Sequence, residues 1–295
     1  MRLEKIITLA SEGVRLRFIA MERSLRAVGC DLPLWVIPYD DNRFELPKGA
    51  HWWEVPEVID WVSAQRIHPM MRKCQCFLTS GYHYVDADII FLRNPEAVLQ
   101  DVDGFVTSCG HWHDPSETIT PESRAFLWER STTWQMDVFN SGQWACDRQL
   151  FDFEQLKKRT EDPRFRWTYL EFSRISDQPA LNLLVNSTGV PIHNLTLPPF
   201  RLQSAWAGDY GEDYRSYWKS EQETPYLIHW AGVLMDKPRA INELIYQYLS
   251  PAERQEWDAY VQSVVGRISR QQRSLRTRLR RLRRASAAFL KELSY

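Results

Sequence analysis

Short apolar runs alternate with amphipathic segments in the first part of the chain. Residues 6–10 form a β-prone run, and residues 12–28 then carry apolar side chains at roughly helical spacing. A second strand-like run covers residues 34–38 and stops at a proline. Strand, helix and strand in this order predict a βαβ unit at the start of a mostly parallel sheet. Ligands of such sheets bind beyond the carboxyl ends of the strands, so we expect one cleft after these two runs.

The same periodicities predict the remaining elements less sharply. The segment after the second strand is expected to be helical, and helices are expected at two capping residues. A polar, aromatic loop between them is expected to bind a ligand, because binding functions concentrate on loops over a rigid sheet. These elements are a helical segment at 57–80 interrupted near His68, a helical turn from Asn94, a strand at 104–108, an irregular loop at 110–135, a helix capped by Asp147, a helix capped by Ser176, a final strand at 226–230 and helical structure from Arg239 onward.

The stretch from Tyr82 to Phe91 is a buried-strand pattern interrupted by two acids, Asp86 and Asp88. An isolated ionised carboxylate in an apolar setting is costly, so such acids are normally solvated, hydrogen-bonded or bound to a metal. Three letters of sequence do not decide between these environments. The strand that precedes the acids makes them the first candidates for a divalent-cation site.

Three other groups have both a structural and a functional interpretation. His229, at the end of the final predicted strand, would usually be a hydrogen-bonded core histidine, but it would suit a manganese-like ion if it lies near Asp88. The cluster His111–Asp114 resembles a metal site in composition, although its loop has little periodicity. Asp177 and Gln178 stand at a predicted helix start, where they would either cap the helix or face the cleft.

Charge is unevenly distributed along the 295 residues. Residues 267–284 contain nine Arg and no acid, which leaves 28 Lys and Arg against 38 Asp and Glu in the rest of the chain. Leucines at helical spacing within this segment predict a basic amphipathic helix. It would contact an anionic membrane surface, pack on the acidic body or join subunits. Nucleic acid is not expected as a partner, since the body is acidic.

Composition also bears on the compartment. The 44% hydrophobic content supports a sizeable core. Five cysteines, an odd number without zinc-finger spacing, are expected to be reduced thiols. The N-terminal segment has no signal-peptide core, and no apolar run approaches the roughly 18 residues of a membrane span. We expect a cytoplasmic protein, with peripheral contact at the inner membrane if the basic segment binds lipid.

Several function classes can be weighed on motifs alone. Neither GxGxxG nor GxxxxGK[ST] is present, which argues against dinucleotide oxidoreductases and P-loop enzymes. A phosphatase or phosphotransferase of the haloacid dehalogenase type also places two acids after a strand, but Ile90 occupies a position where that class has Thr or Val. A third alternative is an adaptor without catalytic activity that keeps its fold as a scaffold and binds through its arginine segment.

Five short motifs together resemble the GT-A glycosyltransferases, most closely the retaining group with glycogenin and the bacterial lipopolysaccharide galactosyl- and glucosyltransferases. The resemblance covers about residues 4–245. It implies an α/β GT-A fold over residues 1–248, a Rossmann-like, mostly parallel sheet flanked by helices, followed by a helical extension over 249–295. The motifs are Lys73–Leu78, Val85–Ile89, Phe139–Gly142, Asp177–Asn182 and His229–Gly232 with Lys237-Pro238.

The resemblance also implies an activity: transfer of a sugar from a nucleotide-diphosphate sugar, often a uridine one, to a glycan, lipid or protein acceptor. It implies Mn²⁺ or Mg²⁺ held by Asp88 and His229, with Asp86 shared between the metal and the donor. Asp177 and Gln178 match the pair beside the anomeric carbon. The remaining implied donor contacts are Thr8, Leu9, Ala10, Lys73, Asn140, Ser141, Gly232 and Lys237.

Overall fold

A computed structural model describes residues 1–220, 222–233 and 239–264. Residues 1–233 and 240–248 form one compact unit, which contains all of the strands described below. The strands are β1 (Lys5–Ala10), β2 (Leu34–Pro38), β3 (Ala50–Trp52), β4 (Tyr82–Val85), β5 (Ile89–Phe91), β6 (Phe105–Thr107), β7 (Gln143–Cys146), β8 (Ile192–Asn194) and β9 (Leu227–His229).

The helices in this unit flank the strands. They are α1 (Arg15–Ala27), α2 (Pro56–Ala64), α3 (Pro95–Leu99), α4 (Pro121–Arg130), α5 (Phe153–Thr160), α6 (Gln178–Thr188) and the short α7 (Glu243–Tyr246). A 3-10 helix over Pro69–Leu78 carries the chain from α2 toward β4. In the second unit, residues 251–264 are helical.

The main sheet has seven strands in the order β3-β2-β1-β4-β7-β6-β8. Strands β1 to β4 run parallel, β7 is antiparallel to both of its neighbours, and β6 and β8 are parallel to each other. A separate sheet pairs β5 with β9 in antiparallel fashion. The α/β fold class predicted from the sequence is therefore confirmed, as a mixed and mostly parallel sheet.

Apolar side chains on the two faces of the main sheet form two core clusters. Ile7, Tyr84 and Trp144 belong to one, whereas Ile6, Val36 and Val85 belong to the other. Successive residues of a strand point to opposite faces, which explains why neighbours such as Ile6 and Ile7 enter different clusters. All five cysteines are buried free thiols, as the sequence predicts.

The stretch around the two acids is divided between two sheets. Residues Tyr82–Val85 lie in the main sheet, and Ile89–Phe91 pair with β9 in the small one, so Asp86–Asp88 form the turn that joins them. The apolar pattern on both sides of the acids predicts burial correctly, but it cannot show that the chain changes sheets. The change of sheet brings the acids next to a strand that is more than 130 residues away in sequence.

Three local predictions are wrong. Residues 110–135 are not irregular throughout, because α4 begins within them at Pro121, capped by Thr120. The helix expected after Asp147 begins at Phe153 and is capped by Asp152, whose side chain accepts a hydrogen bond from the Gln155 amide. Asp147 instead accepts from the Gly104 amide. In α6 the cap position is Asp177, one residue after the predicted Ser176.

Some predictions fall on residues that the structure does not describe. Lys237, the implied diphosphate ligand, and the basic segment 267–284 lie outside the described residues. Among the helices that are described, none has the length and apolar character that crossing a membrane requires.

Candidate functional site

The acids and the histidine singled out from the sequence lie together at the carboxyl end of β4. Antiparallel pairing of β5 and β9 places His229 opposite Ile89, and the Trp230 amide donates to the Asp88 carbonyl over 3.1 Å. The His229 Nε2 atom lies 3.2 Å from Asp88 Oδ1 and 3.8 Å from Asp86 Oδ2. Backbone pairing, rather than the side chains themselves, therefore brings the imidazole to the carboxylates.

These three side chains have the chemistry of a divalent-cation site. One potential ligand atom from each of Asp86, Asp88 and His229 lies within 4.8 Å of the others. Two carboxylates and one imidazole suit Mn²⁺ or Mg²⁺, and both carboxylates remain about one-fifth exposed, with side-chain exposures of 19% and 18%. No such group of three that includes His111–Asp114 occurs in the described parts of the chain.

Gly142 leaves the space around this cluster open. A Cβ atom at this position would overlap the His229 imidazole and would lie 2.7 Å from Asp86 Oδ2. The Gly142 carbonyl accepts from the Asp86 amide over 2.7 Å, so the glycine backbone also fixes the start of the acidic turn. A side chain here would fill the volume between the potential ligands, which is why the position requires glycine.

Cations of the protein itself also approach the acids. Burial disfavours ionised Asp88, but His229 and then Arg17 outweigh this cost and lower the pKa of Asp88 to about 2. The Arg17 guanidinium lies 3.8 Å from Asp88 Oδ2. Sequence reasoning missed this arginine, because its place in the α1 amphipathic pattern gives no sign that α1 passes beside the β4–β5 turn.

The buried Lys73 ammonium connects Asp86 to Asp177. Its side chain has no exposed surface, and its ammonium lies 3.1 Å from Asp86 Oδ1 and 3.0 Å from Asp177 Oδ2. It also donates to the Ser141 carbonyl over 2.9 Å. Burial alone would lower the pKa of Lys73, but Asp177 and then Asp86 outweigh burial and raise it above its ordinary value. The ammonium therefore links the two carboxylates as a fixed positive charge.

Asp177 is not used as a helix cap, which was one of its two interpretations. It occupies the cap position of α6, yet its side chain accepts no hydrogen bond from the backbone of the first turn. Its Oδ2 atom is buried and has the ionic contact with Lys73 but no well-aligned hydrogen bond. The Lys73 ammonium, 3.0 Å away, offsets the cost of burying this oxygen.

Gln178 is held in place by the loop before β7. Its Oε1 atom accepts from Asn140 Nδ2 over 3.2 Å and from the Ser141 amide over 3.0 Å. Its Nε2 atom donates to the Glu117 carbonyl over 3.0 Å. One turn further along α6, Asn182 both donates to and accepts from the Phe139 backbone. The sequence shows Gln178 and Asn182 in one motif but does not reveal that both form hydrogen bonds with the Phe139–Gly142 loop.

The other predicted donor contacts lie at nearby ends of elements. Thr8, Leu9 and Ala10 end β1, whose register with β4 sets Ile7 opposite Tyr84, so these residues continue to the level of the acidic turn. Thr8 Oγ1 is buried and has no hydrogen-bond partner. Gly232 turns the chain after β9 with a φ of 64°, in the left-handed region that favours glycine.

Solved structures share this architecture. A WbbM bifunctional glycosyltransferase in its apo form matches with a TM-score of 0.51 and 11% identity, over 87% of this chain and 51% of that one. The fold is GT-A. An active-site mutant of LgtC matches at 0.49 and 12%, over 85% and 99% of the two chains. GlyE of Streptococcus pneumoniae matches at 0.43 and 12%, over 88% and 64%.

These similarities are limited in sequence and in extent. At 11% identity and a TM-score of 0.51, the WbbM structure supports the fold alone, and the chain spans about half the length of the WbbM chain it matches. No protein-family model and no curated protein sequence matches the chain. The assignment of chemistry therefore depends on the side chains that the GT-A fold assembles here.

Proposed function

We propose that this protein is a metal-dependent glycosyltransferase that moves a sugar from a nucleotide-diphosphate sugar, with a uridine donor favoured, to a glycan, lipid or protein acceptor. The observation that carries the proposal is that Asp86 contacts Lys73, which also pairs with Asp177, and adjoins the metal-type cluster with Asp88 and His229. Asp86 therefore joins groups that can bind a metal and a diphosphate to groups that can bind a sugar, on a GT-A sheet.

These contacts indicate a separate role for each group of residues. Asp86, Asp88 and His229 would hold Mn²⁺ or Mg²⁺, which neutralises charge on the diphosphate leaving group when it is bound. Gln178 presents a side-chain amide whose orientation three hydrogen bonds fix, so it can position a sugar without reorganising. Asp177, at the start of α6, supplies a buried carboxylate beside that amide, where it can accept from a donor-sugar hydroxyl or stabilise developing positive charge.

Lys73 and Asn140 have structural roles in addition to the donor contacts that the resemblance implies. Lys73 holds both carboxylates, and Asn140 Oδ1 accepts from the Gly142 amide over 2.8 Å while its Nδ2 donates to Gln178. We propose that both residues fix the geometry of the donor pocket. Contact between the Lys73 ammonium and a donor sugar would require that sugar to reach a fully buried atom.

The proposal is tested with the full chain and a panel of nucleotide sugars, with and without Mn²⁺. Thermal shift identifies the donor, because a ligand that binds the folded state raises Tm. Hydrolysis or transfer of that donor should require the metal. Asp88→Asn should lower metal-dependent turnover about 100-fold or more, since it removes a charged ligand of the ion. Asp60→Asn, an exposed acid of α2, is the matched control and should behave like the wild type.

Each alternative predicts a different result in the same experiment. Equal turnover in the Asp88→Asn and Asp60→Asn variants would contradict the metal role. A phosphoryl group trapped on Asp86 would favour the haloacid dehalogenase chemistry. Absence of binding by every nucleotide sugar, measured by calorimetry with Mn²⁺ present, would favour the adaptor.

The arginine-rich segment supports a separate proposal that rests on the sequence alone. We propose peripheral contact with an anionic membrane, where each basic residue near the surface contributes about 1 kcal/mol. The full chain should co-sediment with phosphatidylserine-containing vesicles and not with phosphatidylcholine vesicles. Replacement of Arg280, Arg281, Arg283 and Arg284 by Gln should weaken this. Equal sedimentation of the variant would favour packing on the acidic body or contact between subunits.

A further inference from the structure

Trp206 is an exposed aromatic side chain next to the metal-type cluster. Its residue surface is 45% exposed, and its backbone forms a parallel bridge to His229. Strand β9 thus has β5, which follows the acidic turn, on one side and Trp206 on the other. The Trp206 backbone therefore lies on the side of β9 away from β5, and its indole reaches Ala231, two residues after His229.

The indole is fixed in orientation although it is exposed. Its Nε1 atom donates to the Ala231 carbonyl over 2.8 Å, which satisfies the polar edge of the ring. Gly208 lies directly against the ring, because a Cβ atom there would be 2.5 Å from two indole carbons. A ring that is held at its edge and supported from behind leaves its other face for a ligand at little cost in side-chain entropy.

Polar groups accompany the ring. The Ser204 hydroxyl accepts from the Trp206 amide over 3.1 Å and donates to Asp209 Oδ2. Asp209 is exposed, and Ser204 links its carboxylate to the backbone of Trp206. A hexose ring has a face of C–H groups and a rim of hydroxyls, and it therefore matches an aromatic face with an adjacent acceptor.

We propose that Trp206 is the stacking platform for a hexose ring of the acceptor, with Asp209 facing its hydroxyls. The acceptor is favoured over the donor because the groups proposed for the donor sugar, Asp177 and Gln178, are linked to the Asp86 side of the cluster through Lys73 and Ser141. Trp206 instead belongs to the segment that pairs with β9 on the side opposite β5, so it serves as a separate sugar contact. This inference rests on the proposed function and names the acceptor class of that site.

The test is binding of the full chain, with UDP and Mn²⁺ present, to an array of defined hexose oligosaccharides. The wild type should bind a subset of them. Trp206→Ala should weaken this binding about 10-fold or more, whereas Trp206→Phe, which keeps an aromatic face, should stay within about threefold. Gly208→Ala should displace the indole and weaken binding, and Gly211→Ala, which meets no atom within 4 Å, is its matched control.

Transfer and donor hydrolysis are then compared on the oligosaccharide that binds best. The ratio of transfer to hydrolysis should fall about 10-fold in Trp206→Ala, because loss of acceptor binding leaves water as the competing nucleophile. An unchanged ratio, equal array binding by Trp206→Ala, or no array binding by the wild type would overturn the proposal. Failure of the proposed function is distinguishable, since it would appear as absent metal-dependent donor hydrolysis in the wild type.

Discussion

The Asp86 carboxylate has a buried end and an accessible end, and the two ends differ in the source of their positive charge. At the buried end, the fully buried Lys73 ammonium lies 3.1 Å from Oδ1 and donates to Oδ2 over 3.3 Å, and the Tyr84 hydroxyl donates to Oδ1 over 2.5 Å. On the other side, Oδ2 faces His229 and Asp88 across a space that Gly142 keeps open. The protein supplies a permanent cation at the buried end and leaves the accessible end for an exchangeable one.

This difference suggests why one carboxylate can serve both ends. A buried carboxylate needs its hydrogen bonds and a nearby opposite charge at all times, including when no donor is bound. Lys73 and Tyr84 meet that need and hold the Asp86 carboxylate in one orientation. The orientation is then already set when a metal ion reaches Oδ2 from the accessible end, so little rearrangement is required.

The largest expected effect comes from removing the permanent cation. Lys73→Met should lower the free energy of unfolding by about 3 to 5 kcal/mol, because Asp86 and Asp177 would be left without their counter-charge. Denaturant unfolding without metal measures the change. Lys157→Met, an exposed lysine of α5, is the control. A loss below about 1 kcal/mol would show that the buried end does not depend on its ammonium.

A smaller effect is expected from closing the accessible end. Gly142→Ala should lower Mn²⁺ affinity about 10-fold to 100-fold, since the new methyl group would occupy the space between His229 and Asp86. Calorimetric titration with Mn²⁺ measures the affinity, and Gly211→Ala is again the matched control. Wild-type affinity in the Gly142→Ala variant would mean that the metal does not use this space.

The smallest effect is expected from removing the Tyr84 hydroxyl, the uncharged hydrogen-bond donor at the buried end. Tyr84→Phe removes one hydrogen bond to Asp86 Oδ1 and should cost about 1.5 kcal/mol of stability, within the usual range for a hydrogen bond to a charged group. Mn²⁺ affinity should fall by less than in Gly142→Ala. Stability and affinity are measured as for the other two variants. A larger loss of Mn²⁺ affinity in Tyr84→Phe than in Gly142→Ala would contradict the assignment of the metal to the accessible end.

The sequence predicted much of the scaffold because local patterns reflect local physics. The β1 to β2 unit follows from apolar runs separated by an amphipathic segment, and α3 and α6 begin next to proline, as their sequences indicate. Helix α4 was missed because charged and aromatic residues are spread around it, so no apolar face marks it. The predicted end of α5 was nearly correct. Its predicted start at Asp147 was too early, because Asp147 and Asp152 are both suitable capping residues and the sequence does not show which one is used.

The candidate residues were also predicted from the sequence, but their connections were not. Asp86, Asp88 and His229 were named from motif and chemistry, and the structure brings them together. The role of Asn182 in holding the Phe139 backbone, the approach of Arg17 to Asp88 and the place of Trp206 beside His229 depend on contacts between distant segments. No spacing along the chain encodes such contacts.

The sequence by itself therefore determined which residue types are present and which short elements carry them, because propensity, capping and periodicity act over a few residues. Only the tertiary structure decided that Asp86 is shared between a buried ammonium and an accessible cluster. The pairing of β5 with β9 and the burial of Lys73 between Asp86 and Asp177 produce that arrangement. Electrostatic environment depends on distance and burial in space, and these quantities exist only once remote parts of the chain have packed together.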